Sequence, residues 1–290
     1  MAHVPSRAVL NWFGLCVTWQ TVRTPALVQT CSVLISQKVL LQQRDFSALA
    51  GLLGPKTNRK PLATTQNHLI KLLPRLEKKR LLAICEPVLL VQGEVLFEPG
   101  QATHHVYFPT EGYISLIAPI DGTPALEVGM VGSEGMVGAQ LALGVPTVPL
   151  HALVQGSGIS WRIPAKAFNK ELQDSPALQR LMNRYVYVLM GEMAVSAACL
   201  RYHQIGPRLA RWLLMSHDRA HADQFQMTQE FLAYMLGVRR VGITAAAGAL
   251  QRDGLIEYHR GQLTVRNRAG LEDAACDCYD TNRQSYNELL

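Results

Sequence analysis

The stretch "MTQEFLAYMLGVRRVGITAAAGALQRDGLI", residues 227–256, contains two short amphipathic segments joined at one glycine. Thr228 can cap a first helix that runs to Leu236, with Gln229 in the first turn, where the helix dipole favours hydrogen-bond acceptors. Gly237 ends that helix. A second helix, from about residue 239 to residue 252, would bury its small and branched side chains at helical spacing. The stretch therefore predicts a helix-turn-helix.

The first turn of the second helix carries Arg239, Arg240 and Thr244 on its exposed side. A helix that presents such donors at its N-terminus can read the major groove of DNA, where arginine forms a bidentate contact with guanine. The alternating stretch "LIEYHRGQLTVRN", residues 255–267, then predicts a hairpin wing around Arg260-Gly261. We predict DNA contacts from seven residues: Thr228, Gln229, Arg239, Arg240, Thr244, His259 and Arg260. The alternative is a helical face with two solvated arginines.

Basic residues are concentrated in two parts of the chain, whose formal net charge is +6. Residues 1–60 contain seven Lys and Arg against one acid, and residues 201–270 contain ten Arg against five acids. Residues 271–290 are acidic, with five acids and one Arg. The basic segment around the two predicted helices favours a polyanionic partner.

A region with regular glycines precedes these helices. Of the eleven glycines between residues 88 and 163, seven recur at intervals of 7 to 12 residues with short β-rich runs between them: Gly93, Gly100, Gly112, Gly122, Gly132, Gly144 and Gly156. Strands of this length with such spacing indicate a sandwich or small barrel, and Asp121-Gly122 has the chemistry of a tight hairpin turn. We predict a jelly-roll-like β domain.

Two features of this β domain could bind a ligand. His104, His105 and Glu111 suggest the metal of a cupin-like enzyme, but adjacent strand residues point to opposite faces, so the two histidines would not share an ion. The glycine-rich stretch "VGMVGSEGMVGAQLALG", residues 128–144, could expose backbone N–H groups to an anion. The alternative is a barrel corner that needs glycine and binds nothing.

A long helix is predicted after Pro176. Some 25 residues lack proline, and Leu178, Leu181 and Tyr185 begin an apolar series at three- and four-residue steps, with alanines on the later turns. Such a helix can pair with a copy of itself or pack on its own β domain.

The cysteines and the N-terminal residues indicate where the protein is located and which part of the chain is folded. Six cysteines without a Cys-x-x-Cys pair indicate reduced thiols in the cytoplasm. Cys276-Asp-Cys278 could contribute to a metal site or a thiol switch, but no second pair has zinc spacing, so incidental thiols are favoured. We expect residues 1–63 to be an extension that is poorly structured or comes from an upstream start-site assignment. Nothing in them reaches the ~20 apolar residues that a membrane span requires.

The order of β domain, long helix and "GVRRVGITAAAGALQRDGLIEYHRGQLTV" resembles the Crp/Fnr (catabolite-activator) family of bacterial transcription regulators, over roughly residues 67–282. The resemblance implies a homodimer along the long helix and recognition helices entering major grooves about 34 Å apart. Arg240 falls on the family's guanine-reading arginine. Val241 and Ala245 stand where members have a base-contacting glutamate and a second arginine, which implies a different target sequence.

The resemblance also implies an effector site in the β domain. Gly138-Ala139 and Leu150-His151 occupy the positions of the family's cyclic-nucleotide-binding Gly-Glu and Arg-Ser or Arg-Thr pairs. Because a buried phosphate needs a cationic partner, we expect no binding of cyclic AMP. Cys16 and Cys31 are too sparse for an iron–sulfur cluster, whereas haem ligation by His104, His105 or His151 stays open. The candidate effector residues are Gly132, Ser133, Glu134, Gly135, Met136, Val137, Gly138, Leu150 and His151.

We therefore expect an α+β chain with a jelly-roll-like β-barrel, a long dimerisation helix and a C-terminal winged helix-turn-helix. The expected divisions are residues 1–63 (extension), 64–172 (β domain), 173–203 (long helix) and 204–290 (DNA-binding domain with a helical tail). The expected function is non-enzymatic, cytoplasmic transcription regulation by a homodimer on double-stranded DNA with two-fold-related half-sites. RNA polymerase and an unidentified small molecule are further expected partners, with no cofactor, metal or membrane. The alternatives are a cupin-like metalloenzyme with a helical appendage and an effector-binding protein that has lost DNA binding.

Overall fold

The computed structural model describes residues 66–120 and 126–290. The predicted turn at Asp121-Gly122 and the N-terminal extension, with Cys16 and Cys31, lie outside the described residues. Two short helices come first: α1 (His68–Leu72) and α2 (Arg75–Ala83). The Asn67 side chain caps α1 by accepting a hydrogen bond from the Ile70 backbone N–H (3.3 Å).

The described part of the β domain contains two antiparallel sheets. Their strands are β1 (Glu86–Leu90), β2 (Val95–Phe97), β3 (His105–Pro109), β4 (Tyr113–Ala118), β5 (Leu126–Val131), β6 (His151–Gly156) and β7 (Gly158–Pro164). One sheet has the order β1-β7-β3 and the other β2-β6-β4-β5. A 3-10 turn (Ala139–Leu143) lies between β5 and β6. The predicted β domain and the α+β fold class are confirmed.

The two faces of strand β3 pack into two different apolar clusters. Alternate residues of a strand point to opposite faces. Val106 and Phe108 accordingly pack with the helices in one apolar cluster. Tyr107 packs with Ile114 and Val154 in a second cluster between the sheets. The β1-β7-β3 sheet therefore separates the helical layer from the interior of the β domain.

Helix α3 (Ala165–Asp174) leads into the long helix α4 (Pro176–Tyr202). Ser175 caps α4 by accepting from the Leu178 backbone N–H (3.2 Å), and Pro176 occupies its first position. The first half of α4 buries Leu178, Leu181 and Tyr185 against its own β domain. The start of the predicted apolar series thus packs on the protein's own β domain, and a different face of the helix is exposed.

The C-terminal part contains a helix-turn-helix followed by a hairpin. Its elements are α5 (Ile205–Ala220), β8 (Gln224–Gln226), α6 (Gln229–Leu236), α7 (Arg240–Arg252), β9 (Ile256–His259), β10 (Gln262–Val265), α8 (Arg268–Ala274) and α9 (Cys278–Leu289). The small sheet has the order β8-β10-β9. Within the described ranges, no helix has the length and apolar character to cross a membrane.

Two polar contacts join the β domain to α5. Arg219 Nε lies 2.8 Å from Glu134 Oε1, and Trp212 Nε1 donates to Glu127 Oε1 (2.8 Å). Burial lowers the pKa of Arg219, but the charges of Glu134 and Glu192 raise that pKa by more, so Arg219 remains cationic. The first helix of the C-terminal part is thus attached to the start of β5 and to the turn that follows this strand.

Candidate nucleic-acid interface

A capping residue and a glycine set the bounds of the first helix of the helix-turn-helix. Thr228 Oγ1 accepts from the Phe231 backbone N–H (3.1 Å) and so caps α6. Gly237 ends α6 with φ 62°, a left-handed conformation that glycine adopts at little cost. The buried Arg208 guanidinium donates to the carbonyl of Leu236, one of the orphan acceptors at the end of α6.

Helix α7 has one buried and one exposed face. Its buried residues are Ile243, Ala246, Ala247 and Leu250. Arg240, Val241, Thr244 and Ala245 are exposed, and they share one face because they recur at helical spacing. The Arg240 side chain is 68% exposed and its Nε lies 3.9 Å from Glu230 Oε2, while Val241 is 72% exposed. Arg239, the N-cap residue, is exposed as well. This face is free to contact a partner.

Two predicted DNA-contacting residues contact each other. Thr244 Oγ1 donates to Gln229 Oε1 at 2.6 Å, which joins the start of α6 to the first turns of α7. The bond helps to fix the angle between the helices. Gln229 and Thr244 therefore have a positioning role in addition to any contact with DNA.

The wing turns at Arg260 and Gly261, which have φ angles of 50° and 82°. Two successive positive φ angles between strands that pair at His259 and Gln262 are typical of a type I′ hairpin turn. His259 and Arg260 are exposed at the tip. Tyr258 Oη donates to the Met227 carbonyl (2.8 Å), which holds the wing beside the start of α6.

In the candidate effector stretch, the turn after β5 has internal partners. Glu134 Oε1 accepts from the Gly132 backbone N–H (2.9 Å) as well as pairing with Arg219. The Ser133 carbonyl accepts from the His68 backbone N–H (2.7 Å), and the Gly135 carbonyl accepts from Asn67 Nδ2 (2.7 Å). These contacts connect the turn to α1 and α5.

The rest of the stretch packs closely on α4 and β3. Tyr185 Oη accepts from the Met136 N–H and donates to its carbonyl, both at 2.9 Å, while Val137 forms a bridge with Tyr107. A Cβ at Gly135 would lie 2.3 Å from Tyr185 Oη. Gly138 has φ 101°, and a Cβ there would lie 2.7 Å from Val106 Cγ1. Close packing therefore explains these glycines without a ligand.

Leu150 and His151 lie at the start of β6. Leu150 packs, partly buried, in the core between the sheets. His151 is buried, and its Nδ1 lies 2.8 Å from Glu98 Oε2. Burial lowers the pKa of His151 to about 4, so the ring is neutral at pH 7.

Sequence reasoning did not identify a cavity in the β domain. The cavity has a volume of about 300 Å³, and its lining includes Glu98, Thr103, His104, His105 and Tyr107. That volume is at the lower end of the range of small-molecule sites. None of the predicted effector residues lines the cavity, although Glu98 connects it to His151.

A second missed feature is a group of metal-type ligands. In residues 66–120 and 126–290, the group whose ligand atoms all lie within 4.8 Å of one another is Cys199, His203, Cys276 and Cys278. Cys199, on α4, and His203, the residue that caps α4, are four residues apart, and this spacing was the available sequence signal. The pair of histidines and Glu111 considered for a cupin-like enzyme do not form such a group in the described ranges. That alternative is not supported.

Comparison with known proteins agrees with this geometry. Residues 207–274 match the Crp-like helix-turn-helix domain. A global nitrogen regulator of Synechococcus elongatus is 23% identical over 192 residues, which are 62% of this chain and 85% of that protein. A CRP/FNR-family transcriptional regulator of Thermus thermophilus superposes with a TM-score of 0.55, 22% identity and coverage of 66% of this chain and 98% of the other. FixK2 of Bradyrhizobium japonicum superposes with a TM-score of 0.57, 15% identity and coverage of 67% and 98%.

A winged helix-turn-helix with an open recognition face, set behind a β domain and a long helix, defines a DNA-binding transcription regulator. Residues 207–274 form a Crp-like helix-turn-helix domain, and the fold of the chain is similar to that of Crp/Fnr-family regulators. The resemblance drawn from the sequence is confirmed.

Proposed function

We propose that the protein binds double-stranded DNA as a homodimer, with one α7 helix in the major groove of each of two two-fold-related half-sites. The observation that carries this proposal is the exposed N-terminal face of α7, whose opposite face is buried against the rest of the domain. Proteins that use this motif space their half-sites about one helical turn, 34–36 Å, apart.

The exposed donors divide into two roles. Arg240, on the first turn of α7, reads a guanine through a bidentate contact, since its guanidinium is exposed and its Nε lies 3.9 Å from Glu230 Oε2. Arg239, His259 and Arg260 contact phosphates on either side of the groove and set the register. Thr228 and Gln229, at the start of α6, lie where the first helix of such a motif crosses the DNA backbone.

The dimer forms along the exposed face of α4. Tyr187 and Met190 are 67% and 65% exposed there, and large apolar side chains are seldom left exposed without a partner. Gly191, Ala194, Ala197 and Ala198 continue the exposed face toward the end of the helix. Small residues at these positions allow a second α4 to approach closely.

A small-molecule effector would bind in the β domain, either at the predicted residues 132–138, 150 and 151 or in the cavity beside Glu98. The chain divides into a β domain (64–172), a long helix (173–203) and a DNA-binding domain (204–290). RNA polymerase as a partner, a cytoplasmic location and the absence of catalysis follow from the activity of transcription regulators.

Selection of bound duplexes from a random DNA library tests this function. We expect the purified full chain to enrich a two-fold-symmetric site with half-sites one helical turn apart. Parallel selections with and without cell extract separate a requirement for a small molecule from an inability to bind DNA. Failure to enrich any symmetric site under both conditions would contradict the proposal.

A further inference from the structure

The second half of the chain brings four sulfur and nitrogen ligands together from two distant segments. Cys199 lies in the last turn of α4, and His203 is the residue that caps the end of that helix. Cys276 and Cys278 lie at the junction of α8 and α9. Helix α9 packs back on α4, and this packing closes the group although 77 residues separate Cys199 from Cys276.

The spacing of the four ligand atoms matches a tetrahedral ion. With Zn–S near 2.3 Å and Zn–N near 2.0–2.1 Å, the edges of such a tetrahedron are about 3.8 Å for S···S and about 3.5 Å for S···N. Here Cys199 Sγ and Cys276 Sγ lie 3.6 Å apart, and Cys278 Sγ and His203 Nδ1 lie 3.5 Å apart. All four ligand atoms fall within 4.8 Å of one another.

Contacts within the protein position these residues. The three cysteine side chains are buried together against Val195. The His203 backbone N–H donates to the Cys199 carbonyl (3.1 Å), which continues the helical turn that aligns the two ligands. Next to Cys278, the Tyr279 hydroxyl donates to Asp218 Oδ2 (2.8 Å) and so anchors the start of α9 to α5.

Two cations lie beside the group. Arg208 and Arg211 line, with Cys199, a small adjoining cavity of about 40 Å³. A divalent ion with three thiolates and a neutral imidazole carries one net negative charge, which these guanidinium groups offset. Among the divalent ions common in cells, a tetrahedral site with several thiolate ligands favours zinc.

We propose that Cys199, His203, Cys276 and Cys278 bind one zinc ion per chain in a closed, tetrahedral Cys₃His site with a structural role. On binding, each thiol that is still protonated releases its proton to solvent as its sulfur bonds the ion. With four protein ligands the ion has no open position for a substrate. It would fasten the end of the long helix to the C-terminal tail, directly before the helix-turn-helix begins.

The test uses the full chain without an affinity tag, purified under reducing conditions, stripped with a chelator and titrated with Co²⁺ and then Zn²⁺. We expect saturation at one Co²⁺ per chain, with the absorption of tetrahedral cobalt and a thiolate-to-cobalt charge-transfer band, and displacement of that signal by Zn²⁺. The wild-type titration requires no substitution, so it cannot be confused with a variant that fails to fold.

Variants then locate the site. Cys276→Ser and His203→Ala should lower the affinity for Co²⁺ at least tenfold, whereas Cys85→Ser and the double variant Cys16→Ser/Cys31→Ser should retain the wild-type stoichiometry. The absence of a 1:1 cobalt complex in the wild-type chain would overturn the proposal. Acid-labile sulfide together with two irons per chain would also overturn it. So would a Cys199–Cys276 disulfide in the purified protein, if the protein still failed to bind Co²⁺ after that disulfide had been reduced. None of these readings depends on DNA binding, so the outcome is independent of the proposed regulatory function.

Discussion

Arg240 carries the proposed base recognition because it combines exposure, a place on the first turn of α7 and weak internal pairing. We expect Arg240→Ala to cost about 1–3 kcal/mol of specific binding per half-site and to relax the preference at one base pair. Binding of matched and mismatched duplexes measures both effects.

Arg252 supplies the matched control for that substitution. It is exposed on the same helix but lies at the C-terminal end, away from the face that enters the groove. Arg252→Ala removes the same charge and should leave base preference unchanged. An equal loss of affinity for all sequences in Arg240→Ala would instead assign Arg240 to a phosphate.

Glu192 is a buried acid with an unusual titration. It is 5% exposed, and burial raises the pKa of its carboxyl from 4.5 to about 7, although Arg219 opposes the rise. Because the folded state holds this proton more tightly than the unfolded state, the contribution of Glu192 to stability is present below pH 4.5. That contribution is lost as the pH rises toward 7.

Glu192→Gln should therefore have little effect at pH 5 and should stabilise the protein at pH 8. The expected gain is of the order of 1–3 kcal/mol, since one pKa unit corresponds to about 1.4 kcal/mol. Urea unfolding at both pH values measures it. Glu288→Gln, on the exposed side of α9, is the control and should keep the wild-type pH dependence. The same dependence in Glu192→Gln would show that Glu192 does not titrate in this range.

Helix α4 has two faces with different roles. One face completes the core of the β domain, and the other exposes Tyr187 and Met190. We expect Met190→Glu to shift the protein from dimer to monomer, since a carboxylate would be desolvated in the interface. Light scattering after size exclusion measures the change.

The control for that substitution lies on α3. Asn169 is exposed, and Asn169→Glu adds the same charge outside the α4 face. It should leave the dimer intact. A Met190→Glu variant that remains dimeric would place the interface on another surface.

Elements with local signals were predictable, and long-range pairings were not. The cap at Thr228 and the glycine at Gly237 determined the bounds of α6 to the residue, because both act within one helical turn. The pairing of β1 with β7, and of β2 with β6, depends on strands far apart in sequence. No local signal in the sequence predicts which of these strands pair or in which register.

The same reasoning explains why sequence analysis missed the group of four metal-type ligands and why the glycine-rich turn suggested a ligand. Cys276 and Cys278 were visible as a pair, but their partners on α4 become neighbours only when α9 folds back. Conversely, the glycines of residues 132–138 suggested a ligand, whereas the structure gives Gly135 and Gly138 close contacts with Tyr185 and Val106. The effector role of this segment stays a prediction.

For the whole molecule, the pairing of charges bears on cyclic AMP. Arg219 lies near the candidate effector turn but is already paired with Glu134, and the positions implied by the resemblance hold Ala139 and Leu150. We expect millimolar cyclic AMP to leave the melting temperature unchanged, because a ligand that does not bind the folded state cannot stabilise it. Differential scanning fluorimetry with AMP as the control tests this. A rise in melting temperature that depends on cyclic AMP concentration would contradict the expectation.

The contacts of Glu134 with Arg219 and of Glu127 with Trp212 have a consequence for how the protein melts. Separating α5 from the β domain would break both contacts, so the folded state of each part helps to stabilise the other. We therefore expect the β sheets and the DNA-reading helices to unfold together in one cooperative transition. A mutation that destabilises the β domain should for this reason lower the fraction of molecules with a folded helix-turn-helix, even though the mutated residue lies far from the DNA.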